Sequence, residues 1–322
     1  MRFPLPLAAA FTACLALPAP AFPAPAFPVA RCINLGAAME SPVEGDWGYV
    51  IEEPHLARIA EAGFDTVRLP VRFSAHWDGE RLSPQILART DEIIGWAQAQ
   101  GLNVILDLHH FREMAFDPAT YSGDLVQIWR ALAEHYQDAP DSLIFELFNE
   151  PHGAFTTDRA VPLFQQITTM IRETHPDRWI ITGGGQWNDL DEMLRLPPPG
   201  ARDVRTFHYY EPWSFTHQQA AYLADPPPAT TWGSVEDRAQ LAADMARASA
   251  AEGPVFLGEF GVYGATEPSQ RLNWIAAVRR AAEDQGLPWC YWGFSQGEVT
   301  GFSAFSPSLD AWEPGMLDAL LR

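Results

Sequence analysis

LIFELFNEPHG, residues 143–153, begins as a strand and ends as something else. Leu143, Ile144, Phe145, Leu147 and Phe148 form a nearly continuous apolar run, the pattern of a strand buried on both faces of a parallel sheet. Asn149 and Glu150 follow, Pro151 stops the strand, and His152 and Gly153 open a loop. A carboxylate at the end of a buried strand raises the question of how many other strands end in this way.

Working outward, short apolar or β-branched runs alternate with helical stretches along the whole chain. Strands are predicted over 30–36, 65–71, 103–110, 143–149, 178–184, 204–210, 254–261 and 288–294. Helices are predicted over 53–63, 83–101, about 122–138, about 158–175, about 234–252 and about 268–286, with a short one after Trp187 and a last one at 314–322. Ser83 and Pro84 are placed to start one of these, and Gly63 and Gly101 to end two. Eight β–α units in strict alternation predict an α/β fold, a single (β/α)8 TIM barrel. The runner-up, a doubly wound open sheet, lacks support, because NLGAAMESPVEG after the first strand is neither a dinucleotide-binding nor a phosphate-binding loop. The longest irregular segments, 37–52, 211–233 and 295–311, all follow a strand, on the face where such barrels build their sites.

The chain carries 21 basic and 41 acidic residues, a formal charge of −20, which disfavours nucleic acid and anionic membranes as partners. Arg2, the apolar run from Leu5 to Leu17, and APA at 19–21 and again at 24–26 form a secretory signal pattern. We expect a signal peptide over 1–26, a Pro-rich spacer reaching 28, one catalytic domain over 29–322, and a secreted or periplasmic monomer. Lipidation at Cys14 is the alternative. No stretch is long and apolar enough for a transmembrane segment. Cys32 and Cys290 fall on strands that become neighbours when the barrel closes, and both point inward if Asn34 and Trp292 do. Strands run about 4.8 Å apart whereas a disulfide wants its Cβ atoms about 3.8 Å apart, so two free buried thiols are expected.

At or near the strand ends stand Asn34, Arg68, His109 and His110, Asn149 and Glu150, His208 and Tyr210, Glu259, and Trp292. Any one alone is ordinarily structural; their coincidence at equivalent positions indicates a shared site. Strands 4 and 7 face each other across an eight-stranded ring, so Glu150 and Glu259 form a carboxylate pair across its mouth. Such a pair is what glycoside hydrolysis requires, one acid to protonate the leaving oxygen and one ionised group to attack or activate water. His109 and His110 are adjacent in a predicted strand and so face opposite ways, which argues against a metal site, and no cofactor is expected. A GxSxG elbow is absent from the sequence.

The motifs NLGAAME, GFDTVRLPVRFSAHW, LDLHHF, FNEPHG, TFHYYEPWSFTHQ, LGEFGVY and YWGF, in this order over residues 30–321, resemble glycoside hydrolase family 5, and within it the bacterial endo-β-1,4-glucanases. The resemblance implies a retaining β-glycanase on a (β/α)8 barrel acting on a β-linked polysaccharide or oligosaccharide. Glu150 matches the acid/base and Glu259 the nucleophile. Asn149 would bind the 2-hydroxyl of the sugar being cleaved, Arg68 and Tyr210 would hold Glu259, and His208 would sit beside Glu150. His109 and His110 would line the site, Asn34 would bind or support, and Trp292 would stack under a sugar. Two departures bear on sugar preference: Ala37 where the family often has Asn, and Gly293 where several relatives carry an acid. Trp187 and Trp213, and less so Trp47, Trp77 and Trp232, are either stacking platforms or ordinary loop packing. The same resemblance leaves open β-mannan, xyloglucan or mixed-linkage glucan as substrate, and an inactive carbohydrate-binding protein as the rival from another class.

Overall fold

The computed structural model describes residues 26–296 and 301–322. The expected signal segment, with Cys14, lies outside them but for Ala26. Eight parallel strands close in sequence order: β1 (Arg31–Asn34), β2 (Thr66–Val71), β3 (Asn103–Leu108), β4 (Leu143–Glu146), β5 (Ile180–Gly183), β6 (Asp203–Tyr209), β7 (Val255–Phe260) and β8 (Trp289–Tyr291). β8 pairs back onto β1, which leaves the sheet without an open edge. Helices Glu53–Ala62, Pro84–Ala99, Pro118–His135, Thr157–Arg172, Val235–Ser249 and Pro268–Asp284 separate the strands, with the short Leu190–Leu194 after β5 and Met316–Leu321 at the end. The alternation therefore folds into the (β/α)8 barrel expected of it. The helix after β3 starts at Pro118, earlier than its apolar periodicity indicates, because the Asp117 side chain accepts from the Thr120 N–H and Pro118 suits the first turn. Among the described residues no helix is long and apolar enough to cross a membrane.

The barrel interior is layered. Cys32, Ile105, Ile144, Ile181, Val204, Phe256 and Cys290, one each from seven strands, form a buried apolar floor with Val29 and Trp179. Two residues further along their strands stand Asn34, Asp107 and Glu146, all fully buried, with Arg68 from β2 among them. Side chains alternate across a strand, so the polar layer sits directly above the apolar one on the same inner face.

The floor corrects the expectation of two free thiols: Cys32 and Cys290 form a disulfide. They are direct partners in the parallel register of β1 and β8, with their Cα atoms 4.1 Å apart. That approach is closer than the average strand spacing from which the expectation was drawn.

One irregularity decides the geometry of the site. Phe207 pairs with Leu257, but His208 pairs with Glu259, so Gly258 is an extra residue in β7. With Phe256 in the inner floor, strict alternation would turn Glu259 outward; the bulge at Gly258 turns it back into the barrel mouth. Gly is required there, since a Cβ on Gly258 would lie 2.6 Å from Thr206 Oγ1 and 3.0 Å from His208 Nε2.

Candidate active site

Arg68 is the centre of the polar layer. Its Nε and Nη2 donate to the two oxygens of Glu146 (2.7 and 2.9 Å), and Nη2 also reaches Asp107 (3.0 Å) and Asn149 Oδ1 (2.7 Å). Nη1 donates to Asn34 Oδ1 (2.8 Å) and to Glu259 Oε1 (2.7 Å). One fully buried guanidinium thus serves three carboxylates, and a buried charge of this kind is tolerable only when it is so paired. Asn34 spends its amide on the Gly258 and Tyr291 carbonyls (3.2 Å each), so it supports Arg68 and is not open to a ligand. Asp107 and Glu146 were missed in the sequence, although an acid inside an otherwise apolar strand is a readable signal. Burial pushes Glu146 above the ordinary carboxylate range against the pull of Arg68.

Glu150 and Glu259 meet above this layer. An oxygen of each and a ring nitrogen of His208 lie within 4.8 Å of one another. His208 Nδ1 is 2.7 Å from Glu150 Oε1 and 3.6 Å from Glu259 Oε2. The Tyr210 hydroxyl donates to Glu259 Oε2 (3.0 Å). Burial pushes Glu150 up to about 7. Burial also raises Glu259, against the pull of the Arg68 charge. Burial lowers His208 to about 4, leaving a neutral imidazole, and together with the Glu259 charge raises Tyr210 so that it remains a neutral donor. The site therefore offers one carboxyl that keeps its proton near neutrality beside one held by a guanidinium and a phenol, the division of labour that acid-assisted displacement needs.

His109 is anchored from both sides: Nδ1 to Asp107 (2.6 Å) and Nε2 to Glu40 (2.8 Å). Burial alone would lower it, but the two carboxylates hold it protonated, up to about 10. Its ring stacks on Trp292 at 5.4 Å and 3°. His110 does not face the opposite way, as strand alternation predicted, because β3 ends at Leu108 and both histidines lie beyond it. The two rings are 4.6 Å apart, and Glu40, His109 and His110 bring ligand atoms within 4.8 Å of one another. The adjacency argument against a shared ion therefore falls, and what His109 does in this structure is bridge Asp107 and Glu40. Glu40 was not singled out in the sequence; its other oxygen accepts from the Ala37 N–H (2.6 Å).

The rim carries aromatic residues of two kinds. Trp187 is 54% exposed and stacks on His152 (5.0 Å, 12°), and Trp213 is 45% exposed and stacks on His217 (5.1 Å, 17°). Trp232 is buried and Trp77 donates to Asp124 (3.2 Å), which makes both structural, while Trp47 lies edge-on to His110 at 6.0 Å. Trp187 is displayed by three consecutive left-handed residues, Gln186, Trp187 and Asn188 (φ 52°, 58° and 57°). For side chains other than glycine this costs about 1–2 kcal/mol each. The turn is held by the Trp187 N–H on the Pro151 carbonyl (3.1 Å) and by the fully buried Asn188 amide on the Asn149 carbonyl. Nothing in the periodicity of the sequence announced Asn188.

A family model described as cellulase, glycosyl hydrolase family 5, matches residues 33–298. Endoglucanase H of Acetivibrio thermocellus is 29% identical over 270 residues, 80% of this chain and 29% of that protein. Endoglucanase C307 of Clostridium sp. (strain F1) is 33% identical over 183 residues, 53% of each. The chain thus spans between about a third and a half of the length of these curated relatives. Solved structures of Thermotoga maritima Cel5A with cellobiose and with mannotriose are each 31% identical, with a TM-score of 0.86 over 91% of this chain and 98% of that one.

Proposed function

Since the chain belongs to the cellulase family, glycosyl hydrolase family 5, we propose that it is a secreted, retaining endo-β-1,4-glucanase with Glu150 as acid/base and Glu259 as nucleophile. The observation that carries this reading is that one oxygen of Glu150 and one of Glu259 lie within 4.8 Å of each other. Retaining enzymes hold the pair about 5–5.5 Å apart, whereas inverting ones leave about 6.5–9.5 Å for a water. Glu259 attacks the anomeric carbon as the glycosidic C–O bond breaks, and Glu150 gives its proton to the departing oxygen. Glu150 then takes a proton from the water that displaces Glu259, which restores both groups. Arg68 and Tyr210 hold the attacking carboxylate, and Asn149, fixed by Arg68 through Oδ1 and with its amide nitrogen 3.4 Å from His109 Nε2, turns an N–H toward the sugar 2-hydroxyl. His109 covers one face of Trp292, and the other stacks under a pyranose. Trp187 and Trp213 extend the platform along the chain.

Export is supported by the signal pattern at 1–26 and by the Cys32–Cys290 disulfide, which suits an oxidising compartment. β-Mannan is the second reading, favoured by the mannotriose complex of a structural relative. Reducing-sugar release from carboxymethylcellulose, lichenan, xyloglucan and mannan ranks the substrates. Proton NMR of the first product tests the stereochemistry. Glucan cleavage with a β-configured product is expected; an α-configured first product would overturn the retaining assignment, and inertness on all four would favour a binding protein.

A further inference from the structure

The amide of Asn188 has its orientation dictated by chemistry. Its Nδ2 donates to the Asn149 carbonyl, which can only accept, so the NH2 end must face that way. The same nitrogen lies 3.4 Å from His208 Nε2, which places its second N–H toward the ring. A neutral imidazole has one bare and one protonated nitrogen. Facing a donor, Nε2 is the bare one, so the proton is on Nδ1, which donates to Glu150 Oε1 at 2.7 Å. An Oε1 that accepts leaves the carboxyl proton on Oε2.

We propose that Asn188 is a positioning residue that fixes the tautomer of His208 and thereby the Glu150 oxygen that carries the acid proton; the latter part rests on the reading of Glu150 as the general acid. In the opposite tautomer, Nε2–H would abut the Asn188 N–H, and Nδ1 would accept the Glu150 proton and withdraw it from the leaving group. Three features of the fold serve this arrangement. Asn188 closes the run of three left-handed residues, a conformation that its neighbours must enforce. A Cβ on Gly183 would lie 1.9 Å from Asn188 Oδ1, so only glycine admits the side chain. Asn188 Oδ1 accepts no hydrogen bond from the described residues, so the donor end is the one in use.

Nitrogen NMR of the full chain labelled at its histidine rings tests the proposal, with His208 identified by the signal lost in His208→Gln. The expected wild-type spectrum has Nδ1 protonated and Nε2 bare. In Asn188→Asp, whose carboxylate only accepts, the proton moves to Nε2. A wild-type ring protonated at Nε2, or a tautomer unmoved in Asn188→Asp, overturns the proposal, and the wild-type spectrum decides even if the variant does not fold. In hydrolysis, Asn188→Ala should lose about tenfold more kcat/KM on phenyl than on dinitrophenyl β-cellobioside, a fraction of the 10²–10⁴ that general acid catalysis supplies. Equal losses would break the link to the acid. A wild-type chain inert on both glycosides would overturn the functional reading, while the spectra still answer for the tautomer.

Discussion

Burial raises the Glu150 carboxyl from 4.5 to about 7, and its replacement by glutamine isolates what that shift does. At roughly 1.4 kcal/mol per pH unit the shift corresponds to about 3 kcal/mol against the ionised form. An ordinary glutamic acid would be protonated to about 0.3% at pH 7, whereas this one is about half protonated, a gain of more than a hundredfold in available acid. In the wild type, kcat/KM on a soluble cello-oligosaccharide should fall tenfold per pH unit above about 7. The acid limb belongs to Glu259, above the usual carboxylate range because that group is also raised by burial. Glu150→Gln should abolish the alkaline limb and lower the rate by about 10²–10⁴. Stability must move with it. A folded-state value above the unfolded one means that the native protein holds the proton more tightly, so this contribution is whole below pH 4.5 and is lost as pH rises to about 7. Relative to Glu150→Gln, the wild type should lose about 3 kcal/mol across that window by urea unfolding. A stability difference that stays flat from pH 4 to 8, or an alkaline limb that survives in Glu150→Gln, would refute the reasoning.

Three further outcomes follow from named contacts. Arg68→Met strips the cation from Asp107, Glu146 and Glu259 and should cost about 3–5 kcal/mol of stability, checked by urea unfolding, and shift the acid limb of kcat/KM upward. The Cys32–Cys290 bridge spans 258 residues, for which the chain-entropy relation gives about 5.5 kcal/mol. Cys32→Ala/Cys290→Ala should therefore melt well below the wild type, and mass spectrometry of the denatured, unreduced wild type should find no alkylation at either cysteine. Trp187→Ala or Trp213→Ala should raise KM for a long glucan about two- to tenfold, the worth of one aromatic stack, with a smaller change in kcat.

The barrel was legible because its signals are local and repeated. Ser83 with Pro84 and the left-handed Gly63 each mark a helix end that the structure keeps within a residue or two. Strand ends were less legible, since burial outlasts the hydrogen-bonded ladder. Leu147 and Phe148 are buried, yet β4 stops at Glu146. The same overrun put His109 and His110 inside a strand and gave them opposite faces, whereas beyond Leu108 the alternation no longer applies. The disulfide was hidden for a different reason. Its formation depends on the approach of one residue pair, and a mean strand spacing carries no information about a single pair at 4.1 Å.

The site divides along the same line. Groups at the strand ends could be found by position alone, and Arg68, Glu150, His208, Tyr210 and Glu259 do converge. Asp107 and Glu146 lie inside apolar runs of the sequence, ahead of the polar residues that close those runs, where they balance Arg68. Glu259 reaches the mouth only through an irregularity in its strand. Counted in twos from Phe256, it belongs on the outside of the barrel, and the extra residue Gly258 reverses it. The motif LGEFG therefore encodes geometry as well as chemistry. The glycine before the carboxylate supplies the bulge that turns Glu259 inward, and its missing Cβ makes room for the His208 ring that sits between the two acids. Replacing Gly258 by alanine would thus disturb both members of the pair at once, although the residue itself carries no functional group.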